Sequence, residues 1–204
     1  MVNSVVATLQ QASGHPILLK NYVSNRNSQF EEFSIAQAAR ATSAAPGIFD
    51  PAKMEILGVE EEFVDAGMGY NCPIILVMDE AFQIWGKRPF GCILSIGTGV
   101  QSERPVGRDL LNLGKKCAEM ATNADLIADA YRQRLETEEN PLLDVYFRLT
   151  VDRNMDQIGL DEFQHLKDVS AWTTAYLDRC RAVVEEIARR LKTPVPPVPL
   201  KGAQ

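Results

Sequence analysis

Histidine is nearly missing from this chain: His15 and His165 are the only two in 204 residues. Zinc needs three or four convergent nitrogen or sulfur ligands, and neither histidine has a companion at ligand spacing. Cysteine is sparse as well. Cys72, Cys92, Cys117 and Cys180 are widely separated and form no C-x-x-C pair, so reduced thiols are expected rather than a redox motif or a disulfide framework. Long apolar runs are lacking. The longest, Ile74-Ile75-Leu76-Val77-Met78, is far short of the ~20 residues of a membrane span. The early stretch Val5-Val6-Ala7 is too short for a signal-peptide core, so no targeting segment and a cytoplasmic placement are expected. Excess positive charge is lacking too: 21 Lys+Arg stand against 27 Asp+Glu, a net charge of −6, which argues against nucleic acid as a partner.

Other motifs fail on single residues. Asp152, Asn154 and Asp156 mimic the first ligands of a calcium loop, but Gln157 and Phe163 stand where Gly and Glu are required. Gly97-Thr98-Gly99 lacks the third glycine of a dinucleotide fingerprint, because residue 102 is Ser. No phosphate-cradling loop ends in Gly-Lys-Ser/Thr. The expected metal and organic cofactors are therefore none.

What remains is an ordinary globular composition, 46% apolar and 24% charged. Ser4–Leu9 and Ile17–Tyr22 read as extended segments around a turn, followed by a polar loop over Asn21–Gln29. Ser34 is placed to cap a helix from Ile35 to about Ala45, stopped by Pro46-Gly47, with an alanine face made for close approach. Glu62–Val64 is a short strand, Pro73–Trp85 a helix and Gly91–Ser95 a strand, the alternation of an α/β layered domain. Beyond residue 104 the reading is helical: Asp109–Ala121, Asn123–Glu138 and Asp168–Lys192, with a strand over Leu142–Thr150. The last helix presents Trp172, Tyr176, Val183, Ile187 and Leu191 on one face.

Nucleophilic serines have poor settings. No Gly-x-Ser-x-Gly occurs. Ser43 has Ala41 and Ala45 at the right offsets but follows helix rather than strand, and Ser95 has bulky Ile93 two residues before it. Asp65 is the strongest chemical candidate. It ends an apolar strand and precedes Ala66-Gly67, a place suited to a partly desolvated general base. The alternative is a turn Asp bonded to its own backbone.

Three motifs occur in order: Ala38–Pro46, then Val64-Asp65-Ala66-Gly67 with Asn71 and Pro73, then Leu94-Ser95-Ile96-Gly97-Thr98-Gly99. Together they resemble the second half of a patatin-like phospholipase domain over about residues 2–100, and the remainder resembles fungal-type members less sharply. The resemblance implies a partial three-layer α/β/α sandwich over 1–103, a mainly helical extension over 104–193 and a proline-rich tail over 194–204. It further implies a serine acyl hydrolase with a Ser–Asp dyad, in which Asp65 matches the dyad aspartate. Ala66, Gly67, Asn71, Pro73, Ser43, Pro46, Ser95, Gly97, Thr98 and Gly99 match supporting positions. The substrate implied is a phospholipid or another acyl ester, with room for peripheral membrane contact.

The family's Gly-x-Ser-x-Gly elbow and oxyanion loop lie upstream of these motifs, so the chain reads as a fragment lacking the nucleophile and is expected to be inactive alone. A non-catalytic module binding lipid or protein is the alternative. Two local departures stand out. Ala66 replaces a usual Gly, which would strain the backbone if that position needed positive φ. Cys72 would take the N-cap of the helix at Pro73, a role it fills poorly. Finally, Pro196-Pro197-Val198-Pro199-Leu200-Lys201 fits an SH3-type proline-rich ligand, or else a stiff, solvated terminus.

Overall fold

The computed structural model describes residues 3–22, 33–86, 88–100, 122–158 and 162–193. The helix expected over Asp109–Ala121, most of the loop Asn21–Gln29 and the proline-rich tail lie outside the described residues. The described residues form two compact units, one holding 3–77 with 122–123 and the other 78–100 with the rest of 124–193. Their mixture of strands and helices is that of a partial α/β domain with a mainly helical C-terminal part.

The first unit is built on an antiparallel sheet of four strands in the order β2-β1-β4-β3. Strand β1 (Val5–Gln10) pairs with β2 (Pro16–Lys20) through a turn closed by Gly14 N–H on the Gln10 carbonyl at 2.8 Å. Strands β3 (Ala52–Ile56) and β4 (Val59–Asp65) form a second hairpin. One face is apolar. Ile17, Leu19, Ala52, Met54, Ile56 and Phe63 alternate inward and enclose Ala41 of helix α1 (Ile35–Thr42). The opposite face carries charge, with Lys53 Nζ 3.0 Å from both Glu60 and Glu62. This division is the period-2 pattern of a sheet covered on one side.

Helix α1 starts as expected. The Ser34 hydroxyl accepts from Gln37 N–H, and the Gln37 side chain accepts from Ser34 N–H, a complete capping box. It ends earlier than expected, at Thr42 rather than Ala45. Ser43 leaves helical geometry, with φ −111° and ψ 8°. Ala45 precedes a proline, which disfavours the α region. The whole of β3 has no counterpart in the sequence reading. Its hairpin turns on Leu57-Gly58, both at positive φ (51° and 80°), without the Asn-Gly or Asp-Gly that signals such a turn.

After β4 comes one distorted helical turn, α2 (Gly67–Tyr70), and then α3 (Ile74–Trp85). The Pro73 carbonyl accepts from Val77 N–H at 2.9 Å, so Pro73 caps α3 one residue later than expected and Cys72 is not the cap.

In the second unit, β5 (Ile93–Ile96) pairs in parallel with β6 (Tyr146–Leu149), with Ile93 opposite Tyr146. Helix α4 (Ala124–Thr137) precedes β6, and α5 (Leu166–Arg179) and α6 (Arg181–Lys192) follow it. The expected strand 142–150 is shorter than its alternation suggested. Asn140 accepts from Leu142 N–H and Pro141 opens a 3-10 turn through Val145, leaving Tyr146 as the first strand residue. The single helix expected over 168–192 is two helices. Cys180 breaks it (φ −103°, ψ 24°), and on the second helix Ile187 is buried while Val183 and Leu191, about one turn to either side, are exposed. Cation–π contacts line β6: Arg132 lies 5.4 Å from the Tyr146 ring and Arg190 lies 5.5 Å from Phe147. No helix among the described residues is long and apolar enough to cross a membrane.

Leu57 is 85% exposed in a left-handed conformation, so its side chain contributes strain without burial. Leu57→Asn is expected to stabilise the chain by about 0.5–1 kcal/mol, read as a higher urea midpoint at unchanged slope.

Candidate active site

Asp65 is the last residue of β4, opposite Thr8 of β1. Beyond Gln10–Phe63, Leu9–Val64 and Thr8–Asp65 the β1–β4 ladder stops, and the Asp65 N–H turns instead to the Ala44 carbonyl at 2.9 Å. The segment after α1 is thereby sewn to the end of the sheet. Two threonines complete the stitching. Thr8, fully buried, donates its hydroxyl to the Val64 carbonyl at 2.7 Å, with the Ala41 carbonyl 3.2 Å away. Thr42 donates to the Ala7 carbonyl at 2.6 Å. Ala41 and Ala44 have no exposed surface, which explains the small residues of this motif: any larger side chain would hold helix and sheet apart. The expected alanine face is only partly used, since Ala36 and Ala39 are exposed.

The Asp65 carboxylate is half-buried. Its Oδ1 accepts from the Gly67 N–H at 2.5 Å, a turn that folds the carboxylate over its own backbone. Its Oδ2 makes no hydrogen bond among the described residues. Ala66 has φ −78° and ψ 5°, so replacing glycine there brings no positive-φ strain, contrary to the concern raised by the sequence. Gly67 is closely approached. A Cβ on it would lie 3.0 Å from Asp65 Oδ1 and 3.2 Å from Asn71 Oδ1. Asn71 donates its amide to the Thr122 carbonyl at 2.6 Å and so closes the far side of the turn. Ser43 is exposed and its hydroxyl donates back to the Ala39 carbonyl at 2.7 Å, the behaviour of a helix-end serine. Pro46 lies in the exposed turn that follows.

Ser95 and Gly97–Gly99 belong to the second unit. The Ser95 hydroxyl accepts from Arg148 Nη1 at 2.9 Å, and Arg148 Nη2 meets Asp125 Oδ1 at 2.7 Å. This pair is largely buried, at 11% and 19% side-chain exposure. The parallel pairing continues past β5, with Gly97 N–H on the Leu149 carbonyl at 2.8 Å and Val100 N–H on Val151 at 2.9 Å. A Cβ at Gly97 would strike the Arg148 guanidinium and Thr150 Oγ1. Gly99 has φ 132°, and a Cβ there would collide with Met155. Thr98 sits between them in the same loop. The two glycines are thus demanded by different things, one by a neighbour's side chain and one by backbone conformation as well.

Sequence reasoning singled out Asp65, which ends β4, and gave no part to Thr8, Thr42, Asp125 or Arg148. Nothing in the local pattern marks a strand threonine or a helix-start aspartate as a long-range partner. Among the described residues, no group of three or more His, Cys, Asp or Glu side chains could hold a metal ion.

The family model described as patatin-like phospholipase matches residues 16–78, which span α1, β4 and the Asp65 turn. This segment is similar to the patatin-like phospholipases. Its similarity extends to named proteins. The calcium-independent phospholipase A2-gamma of Oryctolagus cuniculus is 27% identical over 170 residues, 78% of this chain and 20% of the relative. Those of Rattus norvegicus and Homo sapiens are each 38% identical over 68 residues, 33% of this chain and 8% of each relative. The chain thus aligns with a fifth or less of the length of these relatives. The patatin-like segment holds Ser43, Pro46, Asp65, Ala66, Gly67, Asn71 and Pro73, whereas Ser95 and Gly97–Gly99 follow it.

Thr8→Val keeps the shape of the side chain and removes its donor, so unfolding by denaturant is expected to show a loss of about 1–3 kcal/mol. Arg148→Met removes the ion pair of Asp125 and is expected to cost about 3 kcal/mol, while the double variant with Asp125→Leu recovers part of that loss. A double variant that costs as much as the two single variants added together would show that the pair does not act as a unit.

Proposed function

We propose that this chain carries the aspartate half of a lipid acyl hydrolase that works with a Ser–Asp dyad. One observation carries the reading: Asp65 is pinned through its N–H to Ala44 and through Oδ1 to Gly67, while Oδ2 is left without a hydrogen bond among the described residues. That is the arrangement a general base needs, with one oxygen orienting the carboxylate and the other ready for a proton. A serine hydroxyl would pass its proton to Oδ2 as its oxygen bonds to the ester carbonyl carbon. The leaving alcohol would take that proton as the carbonyl reforms, and a water activated by Asp65 would then release the acid. The substrate class is a phospholipid or related acyl ester, and no cofactor is called for. The patatin-like match over residues 16–78 and the similarity to calcium-independent phospholipases A2-gamma support this reading.

The 204 residues include no Gly-x-Ser-x-Gly, so the chain by itself is proposed to be inactive. That same observation favours a second reading, a non-catalytic module that binds lipid or a protein partner. Purified chain is expected to show no turnover of a short-chain acyl ester. In a polypeptide that joins it to an upstream Gly-x-Ser-x-Gly segment, Asp65→Asn is expected to lower kcat by about 10²–10⁴ with little change in KM. Activity that survives Asp65→Asn would overturn the assignment of the base.

A further inference from the structure

Among the described residues, the Asp65 carboxylate is oriented by one hydrogen bond, from Gly67 N–H to Oδ1. A single bond of that kind contributes little by itself, so its donor has to be presented by the backbone around it. That backbone is irregular. Met68 (φ −79°, ψ 90°) and Gly69 (φ 95°) depart from helical geometry inside α2, and the turn is closed from within by the Tyr70 N–H on the Ala66 carbonyl at 3.0 Å. Glycine at both 67 and 69 leaves such a segment many other conformations. Asn71 ends it. Its backbone returns to helical dihedrals (φ −58°, ψ −28°), and its side chain lies against Gly67. The point that a Cβ on Gly67 would occupy is 3.0 Å from Asp65 Oδ1 and 3.2 Å from Asn71 Oδ1, so carboxylate and carboxamide flank one side of the glycine. The other end of the carboxamide is engaged outside the turn, on the Thr122 carbonyl at 2.6 Å, 51 residues along the chain. That bond assigns Nδ2 to Thr122 and leaves Oδ1, which cannot donate, toward Gly67.

We propose that Asn71 is a positioning residue for Asp65. Anchored on Thr122, it holds the segment 66–71 closed over Gly67 and so keeps the Gly67 N–H on Oδ1. Oδ2 then stays in the orientation that a base requires. The residue type suits the task. The Thr122 carbonyl needs a donor, and the nearby carboxylate needs an uncharged neighbour; a carboxamide on a short stem supplies both. Aspartate at 71 would lose the donor and set a second negative charge beside the first. Alanine would lose the anchor and free the turn. Asn71 is exposed, so its effect is local rather than a contribution to the core. The proposal rests on the reading of Asp65 as the general base and names the side chain through which its orientation is kept.

Amide proton and nitrogen resonances of the full chain, followed across the pH range in which carboxylates titrate, test the idea. The Gly67 N–H is bonded to the carboxylate, so its resonance should move as Asp65 takes up a proton. In Asn71→Ala that movement is expected to shrink by about half or more, because the N–H is no longer held on Oδ1. Ile56→Val trims the buried core of the sheet and should lower the unfolding temperature while leaving the Gly67 movement as in the parent, which separates positioning from stability. In the polypeptide joined to a Gly-x-Ser-x-Gly segment, Asn71→Ala should lower kcat by about tenfold with KM unchanged, and should add nothing in the Asp65→Asn background. A Gly67 resonance that moves alike in the parent and Asn71→Ala, or a kcat loss of the same size in both backgrounds, would overturn the proposal and leave the assignment of the base standing. Turnover that survives Asp65→Asn would overturn that assignment, and this proposal with it.

Discussion

The Asp65 turn depends on how α1 is allowed to end. The last carbonyls of a helix have no partner within it, and a helix end packed on a sheet cannot leave them to water. Here the fully buried Thr8 hydroxyl lies between the Ala41 carbonyl of α1 and the Val64 carbonyl of β4. With helix and strand fixed at that point, Thr42 ties back to β1 and Ala44 offers its carbonyl to Asp65. Removing the threonine would leave buried carbonyls poorly satisfied where the chain must turn most tightly. The carboxylate is then set by short-range rules, a two-residue side-chain turn onto Gly67 at a point where a Cβ would crowd it.

The second unit solves a similar problem by other means. A glycine-rich loop has much conformational freedom to lose, and backbone pairing alone holds it loosely. Arg148 supplies a rigid partner. Its guanidinium is fixed by Asp125, engages Ser95 and fills the space that a side chain at Gly97 would need. Such a buried ion pair contributes little net stability compared with an apolar packing of the same volume, but it is costly to break from one side. It fixes geometry rather than adding stability. The strand that bears Arg148 comes from the part of the sequence read as a helical extension, yet it is the parallel neighbour of β5.

Several elements were legible because their signals are local. Ser34 marked a helix start, the apolar Ile17–Tyr22 marked an extended segment, and Asp65-Ala66-Gly67 marked a strand end. Others were hidden because the sequence used an uncommon solution. Leu57-Gly58 makes a hairpin without the customary Asn or Asp, so β3 went unseen. Cys180 breaks a helix with no proline or glycine to announce it.

By itself, then, the sequence determined the α/β class, the patatin-like similarity of residues 16–78, the strand end at Asp65 and the want of a Gly-x-Ser-x-Gly, since all of these reside in short strings of residues. The tertiary structure decided which groups hold that aspartate, which neighbours a side chain at Gly97 or Gly99 would strike, and that Ala66 is unstrained. Those facts come from atoms brought together across tens of residues, Thr8 with Val64, Asp125 with Arg148, Gly99 with Met155. No local pattern encodes such meetings, because they follow from where the packing of the whole unit places each backbone.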